Sequence, residues 1–496
     1  MRQSTLGWLQ ERCTVRWVIA WLVPGIPFAY ALGRLSDPDL FWHLATGRFV
    51  LSHGAVPTTD PFSWTAAGKP WTAHEWLFGT LMYWLQQRLG WQAILLFQAA
   101  VLALTLHLLL RLCRERSGSF PAAALSALLC GYVVSGTVQR PQALSWLLAV
   151  LFLLVLERWR RGKPDRLWLL PLAMVPWANL HGGFVLGLGL MAAYLAEAVV
   201  RGWITGRRVP LAGAATPGGR PTVLAGWLLA AVAAALVNPQ GPRLLAYPLW
   251  YLQHRDVLNG VTEWLSPNFH LSSAQPLELL LVGLIALGWQ ARRPGRWLDL
   301  CLLVVATHMT LYSVRNEGLL AILAAPVLAT ALAGWPRLRD QTQGEPKPSR
   351  LWVLNVALVL GLLLFIADRM PWTSDPERCL DLVGYPTKAL AWVDSQNLSA
   401  RMLNHYDWGG YLIWTEPHRP VFIDGRADLY GSELFEEHNR AVDAKPDWKA
   451  ILDRWKIEWV LIRATDSLAQ VLEESPAWRR GYRDRLAAVY LRKGAR

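Results

Sequence analysis

The chain has 496 residues, 53% of them hydrophobic and 17% charged, against about 25% charged in an ordinary soluble domain. A net charge of +13 would suit a nucleic-acid binder. Here the basic residues fall in short loops between apolar runs, so nucleic acid is excluded as a partner in favour of a lipid bilayer. The cysteines Cys13, Cys113, Cys130, Cys301 and Cys379 form no CxxC pair, which supports neither a zinc site nor a disulfide framework.

Arg2, Arg12 and Arg16 precede an apolar run over 17–35 that lacks a small-x-small cleavage site, so it reads as a retained signal anchor. Further apolar runs cover 91–110, 120–138, 142–157, 167–180, 183–200, 222–238, 276–291, 297–313, 317–334 and 351–367. With the first they make about eleven candidate transmembrane helices. Residues 75–89 mix Trp76, Tyr83 and Trp84 with Gln86, Gln87 and Arg88, the pattern of a helix lying along the interface.

Alternate loops carry 22 Lys and Arg, while the opposite set carries a handful, Arg140, Arg243 and Arg315 among them. The positive-inside rule puts the basic set and the N-terminus in the cytoplasm, with the protein multi-pass. The loops 36–90, 139–141, 181–182, 239–275 and 314–316 and the tail after Arg369 are then extracytoplasmic. The basic loops read as simple anchors, and 201–220 as a flexible one.

After residue 370 the composition changes, which divides the chain into a membrane domain over 1–370 and an extracytoplasmic domain over 371–496. Residues 384–398 read as an amphipathic helix. Strand-like runs at 420–424, 458–463 and 487–492 alternate with helical patterns at 432–442, 448–455 and 467–474, which suggests a small α/β domain with a mixed sheet. Gly409, Gly410 and Gly425 suggest tight turns after strands. Asp407, Asp424, Arg426 and Asp428 either bind a sugar or metal or form an ion network that fixes loops.

The richest polar segment is 36–81, which holds Asp37, Asp39, His43, Asp60, His74 and Glu75. Carboxylates and histidines beside membrane helices are a site hypothesis by default. Asp37 and Asp39 form a D-x-D pair that can bring two oxygens to a divalent cation, Mg or Mn; equally, Asp37 can cap the helix that follows while Asp39 turns to a cavity. His43, Gly47 and Val50 share one helical stripe. Asp60-Pro61 marks a turn. His74 and Glu75, if helical, point apart, and HEWLF lacks the second histidine of a zinc-protease motif.

These residues carry a resemblance. The DLFWH of Asp39–His43 resembles the D-P-Y-Y-H signature of oligosaccharyltransferase catalytic subunits. The run from Gly54 through Asp60-Pro-Phe-Ser to Gly68 and Pro70 resembles the sequence that follows it there. The loop thus looks like the first outer loop of the GT-C superfamily of polytopic glycosyltransferases, which includes oligosaccharyltransferases and protein O-mannosyltransferases. Trp408–Tyr411 and Asp424–Arg426 look like the outer domain of bacterial membrane proteins of that kind.

The resemblance implies a polytopic α-helical membrane protein with a GT-C-like fold. It implies transfer of a sugar or glycan from a polyprenyl-phosphate-linked donor to an extracytoplasmic acceptor, with Asp39 as the acidic residue near acceptor and metal. The chain has no WWDxG motif, and TVQRPQ stands where a D-x-E would fall. The acceptor is therefore a lipid, a glycan or another protein side chain.

From the residues themselves, Asp37, His74 and Glu75 join Asp39 as catalytic candidates. Arg140 either binds the donor phosphate bidentately or snorkels to headgroups. Arg315 either takes the same phosphate, as late-loop arginines do in related transferases, or forms a surface pair with Glu317. His43, Asp60, His181 and Glu263 are candidates for substrate contact. His254, Arg255 and Asp256 lie in the same late loop as Glu263, and Trp250, Tyr251 and Trp264 either stack on sugars or mark the interface. The rival classes are a lipid-linked glycan transporter or flippase, for which no internal repeat is visible, and a non-catalytic envelope-glycan assembly protein.

Overall fold

The computed structural model describes residues 10–135, 139–164, 166–204, 220–247, 262–290, 296–339, 351–373, 375–396, 398 and 401–494. The expected residues Trp250, Tyr251, His254, Arg255 and Asp256 lie outside them. The chain forms two compact units. One comprises Met1–Gly33, Gln92–Gly241 and Glu263–Thr373; the other comprises Arg34–Trp91, Pro242–Thr262 and Ser374–Arg496. The first outer loop therefore groups, by contacts, with the C-terminal segment.

In the first unit every expected apolar run is helical: Val15–Ala31, Trp91–Ser117, Phe120–Val134, Gln142–Arg160, Leu169–Leu180, Phe184–Ile204, Pro221–Ala235, Gln275–Gln290, Trp297–Tyr312, Glu317–Leu332 and Trp352–Arg369. Among the described residues five helices are long and apolar enough to cross a membrane: Trp91–Ser117, Gln142–Arg160, Phe184–Ile204, Val314–Leu332 and Trp352–Arg369. The other apolar helices run to 10–17 residues. A helix of about 15 residues rises only ~22 Å, less than a hydrocarbon core of ~30 Å.

Helix starts are encoded locally. Thr14 accepts from the Trp17 amide at 3.3 Å, Ser119 from the Ala122 amide at 3.3 Å, and Pro221 opens its helix where no amide partner is needed. The Glu317–Leu332 helix is buried along most of its length and packs on Phe120–Val134, while Trp352–Arg369 packs on Val15–Ala31. The Trp352–Arg369 window is 17% buried against 72% for Gln142–Arg160, so the former lies at the rim of the unit.

The basic residues expected as bare anchors prove to be paired. Arg116 meets Asp299 at 2.5 Å, Arg296 meets Glu157 at 2.8 Å, and Arg160 meets Glu197 at 3.3 Å. These acids sit near helix ends, where a paired charge ties neighbouring helices together instead of facing headgroups.

The second unit is built on a four-stranded sheet: β1 Met402–Asn404, β2 Trp459–Arg463, β3 Trp478–Arg483 and β4 Ala487–Arg492, in the order β1-β2-β4-β3. β1 runs parallel to β2, and β4 is antiparallel to both β2 and β3, so the sheet is mixed. The run at 420–424 is not a strand; Val421 makes one isolated bridge with Ser63.

Helices Asp39–His53 and Trp76–Leu89 pack face to face in this unit. A Cβ on Gly47 would lie 2.2 Å from the Gly79 carbonyl oxygen, and one on Gly79 would lie 2.5 Å from the His43 carbonyl oxygen. Two glycines therefore permit the backbones to touch. Gly409 and Gly410 serve the same end and not the tight turns expected of them, whereas Gly425 lies in a bend, as expected, with the Asp39 carboxylate close against it. Gly409 is helical at φ −54°, and a Cβ there would lie 2.2 Å from the Ile423 carbonyl oxygen.

Candidate active site

In the second unit Asp37 and Asp39 open the Asp39–His53 helix. Asp37 Oδ1 accepts from the Asp39 amide at 2.9 Å, the capping alternative for this residue. Asp39 Oδ1 accepts from the Trp42 indole at 3.0 Å, and a Cβ on Gly425 would lie 2.2 Å from that oxygen. Asp39 is half-buried. One oxygen of each carboxylate is thus directed to a local N–H and not toward a shared ion. Among the described residues no group of three or more His, Cys, Asp or Glu side chains gathers as a metal ligand set. No step is derived through the expected divalent cation.

One turn along the helix, His43 is buried beneath Phe78 and stacked on Trp42, with ring centroids 3.6 Å apart. Its Nε2 lies 3.6 Å from Glu75 Oε2, while His74 Nε2 lies 3.5 Å from Glu75 Oε1. Glu75 is therefore gripped by two imidazoles. His74 and Glu75 precede the Trp76–Leu89 helix, so the divergence expected of helical neighbours does not apply and they face one another. His74 also stacks on Tyr247 at 4.5 Å, whose hydroxyl donates to Asp428 Oδ2 at 2.7 Å. Burial opposes charge on His74, but Glu75 and Asp428 outweigh it and hold its pKa above the usual 6.5. Burial likewise raises the Asp428 carboxyl against the pull of His74 and the Tyr247 hydroxyl. A small cavity opens here, lined by Trp42, Trp71, His74, Glu75, Arg426 and Asp428 among others. The cavity has room for about one water molecule, and its carboxylates, imidazole and indole edges suit a single hydroxyl group.

Beneath it lies a buried ion network. Arg426 donates to Asp424 at 2.8 and 2.6 Å and to Asp60 Oδ1 at 2.7 Å. Its guanidinium centre stacks 4.6 Å over Trp71 and 5.1 Å over Phe62, and Tyr430 donates to Asp424 at 2.5 Å. Asp60 also accepts from the Phe62 and Ser63 amides at 3.1 and 2.9 Å and from the Ser63 hydroxyl. Of the two readings of the Asp–Arg cluster, the geometry is that of a loop-fixing network, with Asp60 inside it. Asp407, by contrast, pairs at the surface with Arg463.

The first unit holds the arginines. Arg140 Nη1 contacts Glu263 Oε2, and Arg315 Nη1 donates to Glu263 Oε1 at 2.5 Å. Arg315 also stacks 4.9 Å over Trp264. With the Gln142 amide oxygen turned toward it, Arg315 Nη2 donates there at 3.1 Å. The expected surface pair with Glu317 is replaced by this cluster. Two guanidiniums from separate loops thus share one carboxylate, an arrangement suited to a bridging oxyanion.

His181 ends the Leu169–Leu180 helix. Its Nδ1 accepts from the Gly183 amide at 3.0 Å and meets Ser145 Oγ at 2.8 Å, which in turn accepts from the Trp177 indole at 2.8 Å. The amide can only donate, so the ring proton is assigned to Nε2.

Trp71 and Tyr247 in the second unit, and Gln142 and Ser145 in the first, belong to no motif. Each is an isolated polar or aromatic residue among many, and only the fold gives it its partners within its own unit.

No family model matches the chain, and no curated protein matches it by sequence. Solved structures do match. The apo oligosaccharyltransferase of Archaeoglobus fulgidus aligns with 92% of this chain and 70% of its own at 11% identity and TM-score 0.51. ArnT from Cupriavidus metallidurans bound to undecaprenyl phosphate aligns with 98% of both chains at 16% identity and TM-score 0.50. The apo form of that ArnT gives 94% of this chain and 95% of its own, 15% identity and TM-score 0.51. The chain shares the fold of these proteins. At such identities the likeness concerns the fold, and the chemistry rests on the side chains.

Proposed function

We propose that this chain is a membrane glycosyltransferase that moves a sugar or glycan from a polyprenyl-phosphate-linked donor to an extracytoplasmic lipid, glycan or protein acceptor. The observation that carries the reading is the convergence of Arg140 and Arg315 on a single carboxylate in a helical unit of GT-C-like fold. In the reaction the two guanidiniums hold the carrier phosphate and stabilise the charge that develops on it as the glycosidic bond breaks. The undecaprenyl phosphate bound to the Cupriavidus ArnT supports a ligand of this class.

The acceptor approaches the second unit beside this cavity. Asp39, tied to the cavity wall through Trp42, orients or deprotonates its hydroxyl. Glu75 and His74 bind and polarise the same group. Eleven helices then cross a bacterial inner membrane with the N-terminus cytoplasmic, and residues 371–496 lie outside. The test is transfer of a radiolabelled sugar from a polyprenyl phosphate by the full chain in nanodiscs. Asp39→Asn abolishes transfer with expression intact, and Glu75→Gln, which removes a charge that polarises the acceptor, lowers it. Wild-type turnover by Asp39→Asn removes that residue from the mechanism.

A further inference from the structure

We infer that Glu263 is a resident competitor for the carrier phosphate, exchanging with it on Arg140 and Arg315 and so timing release of the spent carrier. The inference rests on the phosphate reading of those two arginines. A carboxylate whose two oxygens each engage a different guanidinium reproduces the contact that two phosphate oxygens would make.

Arg315 does not depend on Glu263 alone for its place. Arg315 is also held by the Trp264 face and by Gln142, so its guanidinium keeps its place when the carboxylate swings away. The backbone under Glu263 is pinned as well: its carbonyl accepts from the Ser313 hydroxyl at 3.1 Å, and the Leu265 carbonyl accepts from the Val314 amide at 3.0 Å. Exchange is therefore a side-chain rotation about a fixed loop. The side chains of all three residues are about a quarter exposed, so the carboxylate has open space to rotate into.

A site whose competent state is only fractionally populated binds with its affinity reduced by that fraction. Glu263→Gln removes the competing charge at constant size. It is expected to tighten binding of undecaprenyl phosphate to the full chain in nanodiscs about tenfold, as for a competent fraction near one tenth, and to slow its dissociation. In turnover, KM for the donor falls, and kcat falls with it because the spent carrier leaves slowly. Arg140→Gln and Arg315→Gln weaken the same binding. Unchanged or weaker binding by Glu263→Gln, with both arginine variants impaired, overturns the exchange and leaves the phosphate site standing. Wild-type binding by both arginine variants overturns the phosphate reading and the exchange together. Glu263→Asp shortens the reach to the arginines and is expected to fall between wild type and Gln; a thermal melt matching wild type confirms that each variant folds.

Discussion

Arg426 ties the first outer loop to the C-terminal segment within the second unit. It is buried with two carboxylates and two aromatic faces around it. Removing one partner of such a group leaves the others charged in a medium that solvates them poorly. Arg426→Gln is expected to cost about 3–5 kcal/mol, read as a lower denaturation midpoint of the purified protein. The DGR run at 424–426 advertised half of this network. Asp60, 366 positions away, could be read from sequence only as a turn residue, because local spacing says nothing about which distant loop will return to it.

Histidines in this unit pull in opposite directions with pH. His74 has a raised pKa, so the stability it contributes is complete below its unfolded value near 6.5 and is lost as pH rises through the higher folded value. His405 is pushed down to about 3 by burial and by Arg463, so its contribution is present above 6.5 and is lost as pH falls toward 3. The melting temperature should accordingly peak near neutrality. His74→Gln should flatten the alkaline side of that peak, and an unchanged alkaline slope would show that His74 is not charged in the folded state.

At the scale of elements, the close packing of Asp39–His53 on Trp76–Leu89 depends on Gly47 and Gly79. Neither glycine has a positive φ, so their role is space alone. Gly47→Ala must push the helices apart against a carbonyl 2.2 Å away, with an expected loss of about 1–3 kcal/mol and a fall in transfer, since His43 and Glu75 meet across this contact. Ala tolerated at both positions would show that the helices are not so closely apposed.

The helices were readable because their apolar runs and caps are local features. The 458–463 and 487–492 strands were readable for the same reason. β1 is only three residues long, and β3 reads WRRGYR with half its positions exposed; neither has an apolar alternation to betray it. The apolar run at 420–424 looked like a strand but is buried beside Asn404, whose side chain takes the Phe422 amide at 2.8 Å in place of a sheet partner.

For the molecule as a whole, the proposed topology places the C-terminal segment outside the cytoplasm. Val383 is 81% exposed, so Val383→Cys in a Cys301→Ser background should react with a membrane-impermeant maleimide in intact cells. Labelling only after lysis would invert the topology.

The sequence by itself determined the run of apolar helices, the change of composition near residue 370, and the polar loop after the first helix, because hydrophobic run length and capping are properties of neighbouring residues. Only the tertiary structure decided that this loop packs with the C-terminal segment, that Asp60 serves Arg426, and that Arg140 and Arg315 meet on Glu263. Those partners lie tens to hundreds of positions apart, and their pairing follows from how the helices and sheet close over buried surface.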